Sequence, residues 1–199
     1  MIILPDNEEA IAAAIVILRD GGVVAHATET CYGFACDMTN ETAVRKLFAI
    51  KERSEDHPVS ALFPSVEEAK HYVLWNEEAE KLAADSLPGP LTLILPLLSS
   101  APQKLFPIPS IQSPTPTLGI RVSSHPLACR LAAAFVKPIS TTSANLHGQQ
   151  NPYCAEDILL QFAEKTLQPD LIIDSGRLPP TPPSKIVDLT KGGEVVRNA

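Results

Sequence analysis

Basic residues are scarce in this sequence, and their scarcity narrows the range of functions. The 199 residues include 16 lysines and arginines against 23 aspartates and glutamates, which gives a net charge of −7. A surface of that sign repels phosphate backbones, so general nucleic-acid binding is not expected unless the positive charges are gathered in one place. Aromatic residues make up 5% of the chain and offer few platforms on which bases could stack.

Long hydrophobic runs are missing, and cysteine is rare. No apolar stretch reaches the length that spans a bilayer, and the start, MIILPDNEEA, lacks the basic region of a signal peptide. We therefore expect a cytoplasmic protein without a membrane contact. The cysteines are Cys31, Cys36, Cys129 and Cys154, and they show neither metal-site pairs nor a disulfide framework, which predicts reduced thiols. The role of Cys31 stays open, although no basic group is adjacent in sequence to activate it.

Apolar segments of two kinds follow one another along the chain and predict an α/β fold. Helical spacing or capping signals predict helices at 6–20, 40–53, 65–74, 76–86, 124–135 and 155–165. Short apolar runs predict strands at 23–25, 59–63, 91–95, 117–122, 138–141, 171–174, 185–189 and 194–197. With 45% apolar residues and no linker dividing two cores, one domain with a mixed sheet and flanking helices is expected.

Polar chemistry is concentrated in the stretch 26–63, at the end of the first strong strand signal. The residues that follow this strand directly are Thr28, Glu29, Thr30 and Tyr32. Such strand ends are where α/β proteins place ligands. The helix that comes next ends in Lys51 and Arg53. One interpretation is that these cations complement the negative end of the helix dipole. Their position beside the hydroxyl-rich strand end indicates a second interpretation, in which they form an anion-binding site.

Five motifs in this order resemble the YrdC-like family of threonylcarbamoyl-AMP synthases (TsaC type). They are TET with Tyr-Gly and Lys-x-Arg at 28–53, PGPLTLIL at 88–95, IRVSSHPLA at 120–128, TSANLHG at 142–148 and PSKIVDLT at 183–190. The resemblance covers nearly the whole chain. It implies one YrdC-like domain over 1–199, a twisted open sheet with a concave ligand-binding face, and no additional carboxy-terminal domain.

The resemblance also implies an activity. Such enzymes are nucleotidyltransferases that condense L-threonine, bicarbonate and ATP to L-threonylcarbamoyladenylate and pyrophosphate, for threonylcarbamoyladenosine modification of tRNA. The implied substrates are ATP with Mg²⁺, bicarbonate and L-threonine, with no tightly bound cofactor and no protein side chain assigned as a metal ligand. A downstream threonylcarbamoyl transferase complex is the implied partner, and direct tRNA binding is expected to be weak or absent. This transfer needs cations and neutral donors that orient the reactants and neutralise the leaving pyrophosphate.

Matching positions give the expected site residues. Lys51 and Arg53 are the expected catalytic cations. The expected ATP-binding residues are Lys51, Arg53, His57, Thr117, Ser143, Asn145, Asn151 and Arg197. The expected L-threonine-binding residues are Thr30, Tyr32, Arg121, Thr141 and Ser184. Each has a structural alternative: Ser143 and Asn145 also fit a polar turn, Arg121 one half of an ion pair, and Arg197 a frayed end.

Several positions depart from the family pattern. Ala27 replaces the usual proline before TET, and His57 stands where relatives often carry lysine or asparagine. Leu62 occupies a position where some relatives place a threonine-binding histidine, so selectivity between threonine and serine is left open. The proline-rich segment 99–117 reads as a loop that closes over the nucleotide. A YciO-like paralogue with weak or different nucleotide-dependent activity and an RNA-binding module remain as alternative functions.

Overall fold

A mixed open sheet forms the frame of the computed structural model, which describes residues 1–101, 105 and 116–198. Within these residues the strands are β1 (Ile2–Pro5), β2 (Val24–Ala27), β3 (Tyr32–Ala35), β4 (Ser60–Leu62), β5 (Leu91–Pro96), β6 (Thr117–Arg121), β7 (Ile139–Ser143), β8 (Leu171–Asp174), β9 (Lys185–Asp188) and β10 (Glu194–Arg197). Their order across the sheet is β1-β8-β2-β3-β7-β4-β6-β5-β9-β10. The predicted mixed sheet with flanking helices is confirmed.

Helices flank the sheet, and polar caps begin most of them. They are α1 (Glu8–Arg19), α2 (Glu41–Ile50), α3 (Val66–Lys70), α4 (Glu77–Ser86), α5 (Pro126–Phe135) and α6 (Ala155–Phe162). The side chains of Asn7, Asn40, Ser65 and Asn76 accept backbone N–H groups in the first turns of α1 to α4. Among the described residues, no helix has the length and apolar character needed to cross a membrane.

The register of the central strands brings the distant motifs together. In the hairpin of β2 and β3, Ala27 pairs with Tyr32, so 28–31 form the turn between them. Gly33 on β3 pairs with Ser143 on β7, and a Cβ at Gly33 would lie 3.2 Å from the Thr142 carbonyl oxygen. Glycine therefore permits the close approach of these two strands. On the other side of β7 the order is β4, β6 and β5, and Arg121 on β6 pairs with Thr92 on β5.

Some predicted elements differ from those observed. β1 was not predicted, because three of its four residues are exposed and it is held by backbone pairing to β8 rather than by a buried apolar face. β3 was not predicted either, since Tyr32 was interpreted as one of the polar residues that follow the first strand and contact a ligand, although all four residues of Tyr32–Ala35 are buried. The helices predicted at 65–74 and 155–165 end at Lys70 and Phe162.

Two further expectations concern the loop and the start of α5. His125, not Ser124, caps α5: Pro126 begins the helix, and the Nδ1 of the preceding His125 accepts the N–H of Leu127. Most of the predicted loop at 99–117 lies outside the described residues. Leu105, which is described, is buried in the core.

Candidate functional site

A cavity of about 300 Å³ opens on the central strands, where the predicted motifs meet. Eight of the predicted residues line it. From the ATP set these are Arg53, Ser143, Asn151 and Arg197, and from the threonine set they are Thr30, Arg121, Thr141 and Ser184. Hydroxyl, amide and guanidinium groups thus share one concave space, and its described lining contains no aspartate or glutamate. Such a surface is suited to a polar, anionic ligand.

Lys51 lies behind this lining instead of in it. Its buried ammonium donates to the carbonyl oxygens of Ser143 and Asn145, and to the Oδ1 of Asn145 at 3.1 Å. Ser143 Oγ donates to the same Oδ1 at 2.7 Å. Burial, followed by the charge of Arg53, lowers the pKa of Lys51 to about 7. Lys51 and Asn145 therefore hold the turn that presents Ser143 to the cavity.

Arg53 and Arg197 place positive charge on the wall. Arg53 donates from Nη2 to the carbonyl oxygen of Pro58 at 3.2 Å, and its buried Nε has no partner among the described residues. Arg197 donates to the carbonyl oxygen and the hydroxyl of Ser184 at 2.9 and 2.8 Å, so its guanidinium is held and not frayed. Neither arginine forms an ion pair with a carboxylate in the described part of the chain. Their uncompensated charge is available to an anion.

Arg121 has a different environment. Its Nη2 lies 2.5 Å from Oε1 of Glu29 and 3.2 Å from Oγ1 of Thr30, and the side chains of Arg121 and Glu29 are 8% and 14% exposed. Ser123 donates its hydroxyl to the other carboxylate oxygen. Burial acts to raise the pKa of Glu29, but Arg121 and Ser123 overcome it and hold that pKa below its usual value. Arg121 is thus both one half of an ion pair and a lining residue of the cavity.

Besides Lys51 and Asn145, three further predicted residues lie away from the lining. Neighbouring residues of a strand face opposite sides, so Tyr32 points away from the face that Gly33 exposes, and its buried hydroxyl donates to the Gly176 carbonyl at 2.8 Å. Thr117 begins β6, four residues or about 13 Å of strand from Arg121. His57 is half exposed, with its ring 5.5 Å from that of His147, which does line the cavity.

Sequence reasoning missed other residues of the site. Glu29 is part of the TET motif, but the sequence assigned it no role. Its pairing with Arg121 is a spatial contact that the sequence does not reveal. Cys31 and Thr92 line the cavity, and burial raises the pKa of the Cys31 thiol, which therefore stays protonated near neutral pH. In the described ranges, no three or more His, Cys, Asp or Glu side chains are grouped as a metal site would require.

Comparison with known proteins identifies the family. The model of the Sua5, YciO and YrdC family, described as "Telomere recombination", matches residues 16–199. The chain belongs to this family. A curated relative, the threonylcarbamoyl-AMP synthase of Enterobacter sp. (strain 638), is 32% identical over 158 residues, which cover 78% of this chain and 80% of the relative.

Two solved structures of the family are also similar. Sua5 of P. abyssi, solved in complex with L-threonine, has a TM-score of 0.80 at 31% identity over 95% of this chain. This chain spans about half of that protein, 53% of its length. YciO of E. coli has a TM-score of 0.81 at 28% identity, and the match covers 99% of this chain and 93% of YciO. The family resemblance of the sequence motifs is thereby confirmed.

Proposed function

We propose that this protein is a threonylcarbamoyl-AMP synthase, a nucleotidyltransferase that makes L-threonylcarbamoyladenylate and pyrophosphate from L-threonine, bicarbonate and ATP. The observation that carries the proposal is the division of one cavity between two kinds of cation. Arg53 and Arg197 have no carboxylate partner in the described chain, whereas Arg121 is paired with Glu29 beside Thr30. The first kind suits a polyphosphate, and the second suits an amino acid.

The triphosphate of ATP would bind to the uncompensated cations. A guanidinium offers a planar fork of donors for phosphate oxygens, and Arg53 presents a buried Nε with no partner among the described residues. Ser143 and Asn151 supply neutral donors on the same wall. Lys51 acts from behind by fixing the Ser143 turn. Positive charge at this place would stabilise the pyrophosphate as it leaves.

L-threonine would bind at the Arg121 side. Arg121, Thr30, Thr141 and Ser184 all line the cavity, and the L-threonine complex of the P. abyssi relative supports an amino-acid ligand for this fold. The amine adds to the carbon of bicarbonate and loses water to give a carbamate. A carbamate oxygen then attacks the α-phosphorus of ATP, and the bond to pyrophosphate breaks. Orientation of the two substrates is the main task of the protein in such a step.

Mg²⁺ would enter as part of the nucleotide substrate. The described lining provides hydroxyls and an amide but no carboxylate, and Mg²⁺ in such sites is commonly held by substrate phosphates and water. The product, a labile mixed anhydride, would pass in the cytoplasm to a threonylcarbamoyl transferase complex that modifies tRNA. The net charge of −7 supports weak or absent direct binding of tRNA.

Incubation of the purified protein with ATP, Mg²⁺, bicarbonate and labelled L-threonine tests the proposal. We expect threonylcarbamoyl-AMP and pyrophosphate in equal amounts, identified by mass spectrometry, and slower formation of both with Arg53→Ala at an ATP concentration below saturation. The match over 93% of the length of YciO favours a YciO-like paralogue as the second candidate. ATP binding without threonine-dependent pyrophosphate release would favour that candidate and contradict a synthase.

A further inference from the structure

The cations around the cavity differ in whether a carboxylate compensates their charge. Lys51, Arg53 and Arg197 have no ion-pair partner among the described residues, whereas Arg121 is paired with Glu29. Glu29 itself is not among the lining residues of the cavity, and its carboxylate accepts from Arg121 and from the hydroxyl of Ser123. The pair spans 92 positions of the sequence and is largely buried, so its mutual attraction is weakly screened.

This pairing determines which donors Arg121 still offers. Its Nη2 is engaged by Glu29 and Thr30, and its buried Nε has no partner in the described chain. A buried donor without a partner is costly, and a ligand oxygen would satisfy it. The charge of the guanidinium is meanwhile compensated by Glu29. The subsite can therefore still donate hydrogen bonds to a ligand, while its compensated charge does not favour a highly charged one.

We propose that Glu29 is a specificity-determining residue of the cavity, which compensates Arg121 and reserves it for the carboxylate of a zwitterionic amino acid instead of a polyphosphate. The proposal rests on the proposed function, since it assigns the two substrates to different residues of the same cavity. Without Glu29, Arg121 would join Arg53 and Arg197 in one continuous cationic wall. A polyphosphate could then occupy the amino-acid subsite and exclude threonine.

Glu29→Gln tests this idea, because it removes the charge and keeps the size of the side chain. Isothermal titration with L-threonine and with tripolyphosphate, each alone and in the presence of the other, gives the readout. In the wild type the two ligands should bind independently. In Glu29→Gln, the uncompensated Arg121 should attract tripolyphosphate, which should compete with L-threonine and lower its apparent affinity roughly tenfold or more when it is present in excess.

Control variants separate charge from structure. Glu29→Asp retains the carboxylate, so tripolyphosphate and threonine should again bind independently even if threonine binds somewhat more weakly. Glu8→Gln makes the same chemical change in the exposed pair with Arg130, and both affinities should remain those of the wild type. Melting curves on every sample identify a variant that does not fold. If Glu29→Gln does not fold, the titrations of the wild type and of Glu29→Asp test the inference, because competition between the two ligands in either protein would contradict it.

The outcomes are distinct. Competition between the two ligands in the wild type or in Glu29→Asp would overturn the inference, and so would unchanged, independent binding in Glu29→Gln. Absence of L-threonine binding by the wild type under all conditions would instead contradict the proposed function. Competition confined to Glu29→Gln, with a lower apparent threonine affinity when tripolyphosphate is in excess, is the result that the structure predicts.

Discussion

The buried ammonium of Lys51 should make the stability of the fold depend on pH in a defined way. Lys51 is 3% exposed, and burial lowers its pKa from 10.5 to about 7. Between these two values the unfolded chain binds a proton at Lys51 that the folded chain largely lacks. Stability must therefore rise as pH increases from 7 towards 10.5, because the free energy of unfolding increases with pH wherever the unfolded state binds more protons.

The size of the effect follows from these two pKa values. Each proton of difference contributes about 1.4 kcal/mol per pH unit. Integrated from pH 7.5 to pH 9.5, Lys51 alone should add about 2.5 kcal/mol to the free energy of unfolding. The Lys51→Met variant lacks this group, so the stability difference between wild type and variant should grow by that amount over the same range. Titrating groups that do not interact with Lys51 cancel in the difference.

Urea unfolding at the two pH values measures this change, with Lys81→Met, at an exposed lysine of α4, as the control. The control makes the same lysine-to-methionine change at an exposed position. Three oxygens, two of Asn145 and one of Ser143, accept from the Lys51 ammonium and favour its charged form. A pH-independent difference for Lys51→Met would show that these acceptors outweigh burial, and would refute the reasoning.

Three further predictions concern the substrates. Arg53→Ala should raise the KM for ATP roughly tenfold or more while changing stability by less than about 1 kcal/mol, since Arg53 makes a single protein hydrogen bond, to Pro58; an ATP titration and a melting curve on one sample check both. L-serine should be used only about 10–200-fold less efficiently than L-threonine, because Leu62 is buried in the core and offers no polar partner, so that only a contact with the threonine methyl group discriminates between the two. Rejection of serine by many more orders of magnitude in a competition assay would contradict this. Arg197→Ala should raise the KM for ATP more than that for threonine, and equal changes in the two would argue against its place at the phosphates.

Local signals in the sequence predicted most of the secondary structure. Asn40 and Asn76 mark helix starts through a mechanism that acts over three residues, and both cap as expected. β1 was not predicted because it is stabilised by backbone pairing with β8, and no local pattern in the sequence indicates that pairing. The helix predicted to start at Ser65 is shorter than expected for a similar reason, as the chain after Lys70 pairs with Leu97 through Val73.

The site was predictable as a set of motifs but not as a geometry. Lys51 illustrates this, because a cation at a helix end is ordinarily expected at the surface. Here the turn at 143–145, more than 90 residues later, folds over it and supplies its acceptors. The pairing of Glu29 with Arg121 is equally remote in sequence. Tyr32 is a further case, since its motif suggested a ligand contact, whereas strand alternation turns its side chain away from the cavity in the structure.

Retention of the bicarbonate carbon in the nucleotide product tests the central claim most directly. Purified protein is incubated with ¹³C-bicarbonate, ATP, Mg²⁺ and L-threonine, and the adenylate is analysed by mass spectrometry against a sample with unlabelled bicarbonate. The account predicts a threonylcarbamoyl-AMP that carries one ¹³C, with pyrophosphate formed only when L-threonine is present. Pyrophosphate release without incorporation of the label, or an adenylate that lacks the carbamoyl carbon, would contradict it.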